Sequence, residues 1–261
     1  MNKFSTVREF AMFKPTFALI CAAMLLSACT TSPTGRSQLI LLPESQMSAM
    51  GVQAFEGIKK EKPIARGTRP NSYVRCIVEP ITREVDRRTG KKRNWEVLVF
   101  EDDAPNAFAL PGGKIGIHTG IMKPSIASNA DQLAAVVGHE IAHVLANHGG
   151  ERVSHQIVAQ VGMAAAQIAL KDMDSAQGQA VLGALGVGAQ FGILLPFSRS
   201  HETEADIYGL ELMASAGFDP RESVKLWQNM ARASKGKAPP EWMSTHPGHQ
   251  TRIRNLTDHT N

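Results

Sequence analysis

Two histidines four residues apart, with a glutamate directly after the first, stand at His139-Glu140-Ile141-Ala142-His143. On a helix, four positions bring a side chain back to the same face one turn on. Both imidazoles can then reach one ion at ~2.0–2.1 Å. Glu140 is offset from that line and can reach a water at the ion without ligating it. The implied chemistry is metal-assisted hydrolysis: a cation polarises a carbonyl and acidifies a water, and a carboxylate moves the proton. Ala134, Ala135, Val136, Val137, Ile141, Ala142, Val144 and Leu145 surround the polar three. They therefore sit in a helix that is otherwise core, where polar groups need partners.

A catalytic zinc takes three protein ligands and keeps one position open. His148 follows nine positions after His139, ~180° around the same helix, and is expected to face away. The acidic run His201-Glu202-Thr203-Glu204-Ala205-Asp206 is the expected source. Glu202 and Asp206 are one turn apart, so Glu202 can ligate while Asp206 accepts a hydrogen bond from a ligand histidine and fixes its tautomer. Glu204 lies ~200° from Glu202 and is expected to meet solvent or another partner. The competing reading of these acids is a solvated helix start at the favourable end of the helix dipole.

The elements that must carry these groups follow from periodicity. A helix is expected from Glu44, with Met47, Met50, Ala54, Phe55 and Ile58 inward, then a loop from Lys59 to Pro70. Val74, Ile77, Val78, Ile81 and Val85 step as a second helix despite Pro80. Trp95–Phe100 reads as a strand, and Ala107–Ala109 and Lys114–Thr119 as two more, separated by Pro111-Gly112-Gly113. The active-site helix runs from Asp131 to Asn147 and is expected to stop at Gly149-Gly150. Helices over Ser200–Ala216 and Pro220–Ser234, a loop over Lys235–His249 and a last short helix complete an α+β domain, mostly helical with a small sheet beside the active-site helix. Asn106, Ala107, Phe108 and Ala109, or Lys114 to Thr119, offer a strand edge expected to pair with an extended peptide. Gln156 to Phe197 reads as a buried helical pair; its uncharged stretch Val181–Phe197 also admits a membrane span at the lower length limit.

The N-terminus reads as an address. Lys3, Arg8 and Lys14 precede the uncharged run Phe17–Ala28, which is short for a membrane span but suits a secretory signal. Leu26-Ser27-Ala28-Cys29 resembles a bacterial lipobox, implying cleavage before Cys29 and lipid attachment there. Thr30, rather than Asp, favours the outer membrane on that resemblance. The expected organisation is a signal peptide over 1–28, a lipidated Cys and tether over 29–42, and one domain over 43–261. Cys76 is expected as a buried structural thiol. The residues up to 28 carry half of the formal +4 charge, and the remainder argues against nucleic acid as a partner.

On these features together the chain resembles the gluzincin metallopeptidases, which include Ste-type CaaX proteases, HtpX and Oma-type enzymes. The features are the lipobox, Thr34-Gly35-Arg36-Ser37-Gln38-Leu39, Asn106 through Gly113, the His139–His143 motif, Ser198 through Asp206, and Thr245-His246-Pro247. The likeness is strongest to the periplasmic lipoprotein branch of LoiP- and BepA-type members, here without a repeat domain. It implies one Zn2+ held by His139, His143 and Glu202, with Glu140 as proton carrier and His246 as an oxyanion donor or a latch on the zinc. It further implies cleavage of misfolded or damaged envelope and outer-membrane proteins, from a lipid-held position facing the periplasm. The alternative is a zinc-stabilised chaperone or binding lipoprotein with latent proteolysis.

Overall fold

The computed structural model describes residues 29–169, 198–233, 246 and 249–260. A mixed sheet forms from β3 (Glu96–Phe100), β4 (Ala107–Leu110) and β5 (Lys114–His118). The chain lays β5 between the other two, parallel to β3 and antiparallel to β4. Every residue of β5 is buried: Ile115 and Ile117 join the core, and Lys114 and His118 lie buried at its two ends. Among the described residues, β4 keeps one edge without a strand partner.

On this sheet pack α1 (Glu44–Glu61), α2 (Thr68–Thr89) and α3 (Ala130–Leu145); α4 (His148–Ala169), α5 (Arg199–Ser215) and α6 (Glu222–Ala233) pack on α3, and α7 (His249–Thr260) on α5 and α6. The core joins Ile77, Ile81 and Val85 of α2 to Ile115 and Ile117 of β5, Leu133, Val137 and Ile141 of α3, and Leu212 and Met213 of α5. α3 is buried from Gln132 through His143. It starts at Asn129, whose side chain accepts from Gln132 N at 2.9 Å, satisfying a donor that the first turn leaves open.

The structure departs from the sequence expectations at several places. The Lys59–Pro70 loop is shorter: α1 runs to Glu61 and α2 opens at Thr68, with Pro70 in a first turn, where no helix hydrogen bond is lost. Residues 30–40 are not a free tether. They form a hairpin of β1 (Cys29–Thr31) and β2 (Ser37–Leu39) that packs on α4. Cys76 is exposed, because α2 turns its Val74–Ile77–Val78 stripe inward and leaves position 76 outside. The active-site helix ends before the glycine pair. Asn147 takes a left-handed φ of 55°, and Gly149 and Gly150 fall inside the first turn of α4. The described part of α4 is not a buried helix throughout, since Val158 and Val161 are exposed. The expected signal peptide over 1–28, Val181–Phe197 and most of Lys235–His249 lie outside the described residues. Among the described residues, no helix is long and apolar enough to cross a membrane.

Candidate metal centre

The site depends on how closely α3 and α5 approach. Gly138 of α3 and Gly209 of α5 face each other, and a Cβ on Gly138 would stand 2.7 Å from Gly209 O. Only glycine permits that approach at both positions. The antiparallel pairing then sets Asp206 beside His139 and Glu202 beside both histidines. Glu202 lies in the first turn of α5, which Ser198 caps by accepting from His201 N at 3.2 Å. Asp206 follows one turn on, on the same face.

Four donor atoms converge. His139 Nε2 lies 3.0 Å from His143 Nε2 and 3.2 Å from His246 Nδ1. Glu202 lies 3.1 Å from His246, 3.4 Å from His143 and 3.5 Å from His139. Ligands at ~2.0–2.1 Å around a tetrahedral ion are separated by about 3.3 Å, so these spacings fit a zinc-sized cation. The chemistry of the set agrees: three ring nitrogens and a carboxylate point at one another in a buried space, and a cation satisfies all four at once. Glu140, also buried, has Oε1 3.5 Å from His246 Nε2.

Each group behind the donors has an anchor. His139 Nδ1 donates to Asp206 Oδ1 at 3.0 Å, leaving Nε2 for the ion. Arg252 of α7 grips Asp206 through Nε at 2.7 Å and Nη2 at 2.5 Å, and Glu202 through Nη1 at 2.5 Å. Its guanidinium lies 3.8 Å from the Trp227 ring centroid, a cation over an aromatic face. Charge follows this arrangement. Burial and Arg252 would depress His139, but Asp206 and Glu202 hold it up to about 9. Burial would raise Glu202, yet His139, His246 and Arg252 keep its carboxyl well below the usual range. Burial, then the neighbouring His139 and His246, push His143 well below an ordinary imidazole.

The model of peptidase family M48 matches residues 68–260. The chain belongs to this family. The Mitochondrial metalloendopeptidase OMA1 of Schizosaccharomyces pombe is 40% identical to it over 168 residues, covering 63% of this chain and 46% of that protein. The Metalloendopeptidase OMA1, mitochondrial, of Homo sapiens is 28% identical over 254 residues, covering 92% and 48%. The Beta-barrel assembly-enhancing protease of Escherichia coli (strain K12) is 26% identical over 251 residues, covering 94% and 50%. This M48 chain thus spans about half the length of these relatives. M48 metalloproteases use zinc, which the donor set fits.

Within this M48 site the structure brings together His139, Glu140, His143, Glu202, Asp206 and His246. One expectation is corrected. His148 does not face away: the break at Asn147 starts a new helix, and His148 Nδ1 comes 2.8 Å from His143 Nδ1. Of the two surroundings expected for Glu204, a partner rather than solvent is found: it is buried against His148, Arg36 and Thr34. Arg252 and Trp227 were not foreseen. Of the two strand edges, Lys114–His118 is paired on both sides. Of the two, β4 alone has an edge without a strand partner among the described residues, and a groove of about 340 Å³ runs beside it, lined by Gly51, Ala54, Ala109, Leu110, His143 and Arg152.

Proposed function

We propose that this chain is a zinc-dependent metalloendopeptidase, lipid-anchored at Cys29 in the outer membrane and facing the periplasm, that hydrolyses misfolded or damaged envelope proteins. The observation that carries the chemistry is the convergence of His139, His143 and Glu202, with Glu140 beside them. Bound there, zinc supplies a Lewis acid that polarises the scissile carbonyl and acidifies water. Glu140 accepts the water's proton and passes it to the leaving amine. The open edge of β4 holds the substrate extended by main-chain pairing, which carries little sequence preference and suits unfolded chains. The lipobox and the short apolar run before it support the anchor, and the bacterial relative named a barrel assembly-enhancing protease supports the compartment.

One observation favours a second reading, a zinc-stabilised binding lipoprotein with latent proteolysis. His246 takes the fourth corner of the donor set, where a catalytic site needs an opening. Under the first reading His246 withdraws to admit substrate and then donates to the oxyanion.

Zinc content and casein cleavage separate the two. The enzyme reading expects Glu140→Gln to keep zinc and to lose ~10²–10⁴-fold in cleavage rate, and His246→Ala to change cleavage. Equal cleavage by Glu140→Gln would remove Glu140 from its role. No cleavage by any form, with unfolded-protein binding retained, would favour the binding protein. Cys29→Ala should release the protein from the membrane fraction; retention there would contradict the lipid anchor.

A further inference from the structure

A metal-ligating imidazole is oriented by what its other nitrogen bonds to. For His139 that partner is the Asp206 carboxylate. For His143 the line leads away from the site. His143 Nδ1 meets His148 Nδ1 at 2.8 Å, and His148 Nε2 meets Glu204 Oε2 at 3.0 Å. With its Nε2 turned to the donor set, His143 presents N–H at Nδ1. His148, fully buried, accepts at Nδ1 and donates from Nε2 to Glu204. Glu204 also accepts from Arg36 Nε at 2.8 Å and from the Thr34 hydroxyl. Arg36 forks onto Glu151 at 2.9 and 2.6 Å, and Glu151 accepts from His201 Nε2 at 3.0 Å, next to the ligand Glu202. Gln38 of the same hairpin donates to Ala146 O at 2.6 Å, where α3 ends.

We propose that Arg36, carried by the N-terminal hairpin, is a positioning residue of the metal centre: through Glu204 and His148 it fixes which nitrogen of His143 faces the cation. Glu204 is a buried carboxylate that accepts from Arg36, Thr34 and His148. With Arg36 in place, one oxygen receives both the guanidinium and His148, which holds the ring chain in a single orientation. Arg36 reaches solvent, with 26% of its side chain exposed against 4% for Glu204. The hairpin therefore belongs to the working centre, although it lies before the residues that the family match covers. The inference rests on the metal-centre reading above.

The test is metal release. The purified protein is loaded with Zn2+ for release to a chelator and with Co2+ for its d–d absorption, in parallel with Arg36→Ala, Arg36→Lys, His148→Leu and the Arg36→Ala/His148→Leu double variant. Arg36→Ala should release zinc up to ~10-fold faster, though no faster than His148→Leu, and alter the Co2+ spectrum. Arg36→Lys should recover part of the loss, since it keeps the charge but not the fork. The double variant should release no faster than His148→Leu alone, because both changes cut one chain. Wild-type release and spectrum in Arg36→Ala, or additive effects in the double variant, would overturn the proposal. A variant that is simply misfolded is recognised by its circular dichroism, and Arg36→Lys then decides. Absence of casein cleavage in every form, with the release pattern intact, would refute the peptidase reading and leave this one standing.

Discussion

The two imidazoles on α3 are neighbours in sequence and one turn apart, yet they are held differently. His139 bonds directly to Asp206, and that carboxylate is locked by the buried Arg252 lying over Trp227. His143 is held at one remove, through His148 to Glu204, and the locking arginine comes from a hairpin near the opposite end of the chain. Both arms end on a carboxylate neutralised by an arginine. One arm is short, dry and shared with Glu202; the other is longer and reaches solvent. The shared arm should dominate stability, and the longer arm should tune metal retention.

Breaking the shared arm is the most severe test. Arg252→Met leaves Glu202 and Asp206 buried without their cation, and removal of one partner from such a group costs ~3–5 kcal/mol. Urea unfolding of the zinc-loaded protein should show a loss of that size, together with loss of bound zinc. A loss below ~1 kcal/mol would mean that the two carboxylates find other partners. Next come the anchors themselves. Asp206→Ala should weaken zinc binding ~10–100-fold, and His148→Leu should weaken it less. Competition with a chelator measures both, and the reverse order would mean that the longer arm carries more of the orientation. Widening the helix crossing follows. Gly209→Ala forces a methyl against His139 N, which a Cβ would approach to 2.8 Å. The expected cost is ~1–3 kcal/mol, with weaker zinc binding because Glu202 is carried away from α3. Unchanged zinc affinity would show that the crossing distance does not set the site.

The smallest effect is a pH slope on the outer arm. Burial would raise Glu151, but His201 and Arg36 hold it well below the ordinary carboxylate value of 4.5. A depressed carboxyl adds stability that is present above the unfolded value and lost as pH falls toward the folded one. Metal-free protein should therefore lose stability below about pH 4.5. Arg36→Ala should be less stable above that pH and lose less on acidification. Parallel pH profiles for the two proteins would remove Arg36 from that account.

Much of the inner site was legible because its signals are local. The His139–His143 spacing and the Glu202–Asp206 spacing each fix one helix face, and the apolar residues around them announce burial. The α+β order was legible for the same reason. The outer arm was not. His148 seemed to face away because the helix was continued through Ala146 and Asn147, which carry no glycine or proline to mark the break; the glycine pair two residues later drew the boundary instead. Arg36 sits in a Ser-, Thr-, Pro- and Gly-rich stretch whose composition reads as tether. It becomes structural only through long-range ion pairs with Glu151 and Glu204. Arg252 gave no local signal either, since nothing in Thr251-Arg252-Ile253-Arg254 tells a buried guanidinium from a solvated one; its neighbour across the helix packing, Trp227, decides that.

The central claim is that α3 and α5 supply three side chains to one cation. Elemental analysis of the purified protein beside its Glu202→Gln variant, with zinc release to a chelator followed for both, tests it most directly. The account expects one zinc per chain in the first and its loss, or far faster release, in the second. A full complement of zinc released at the same rate from both would contradict it.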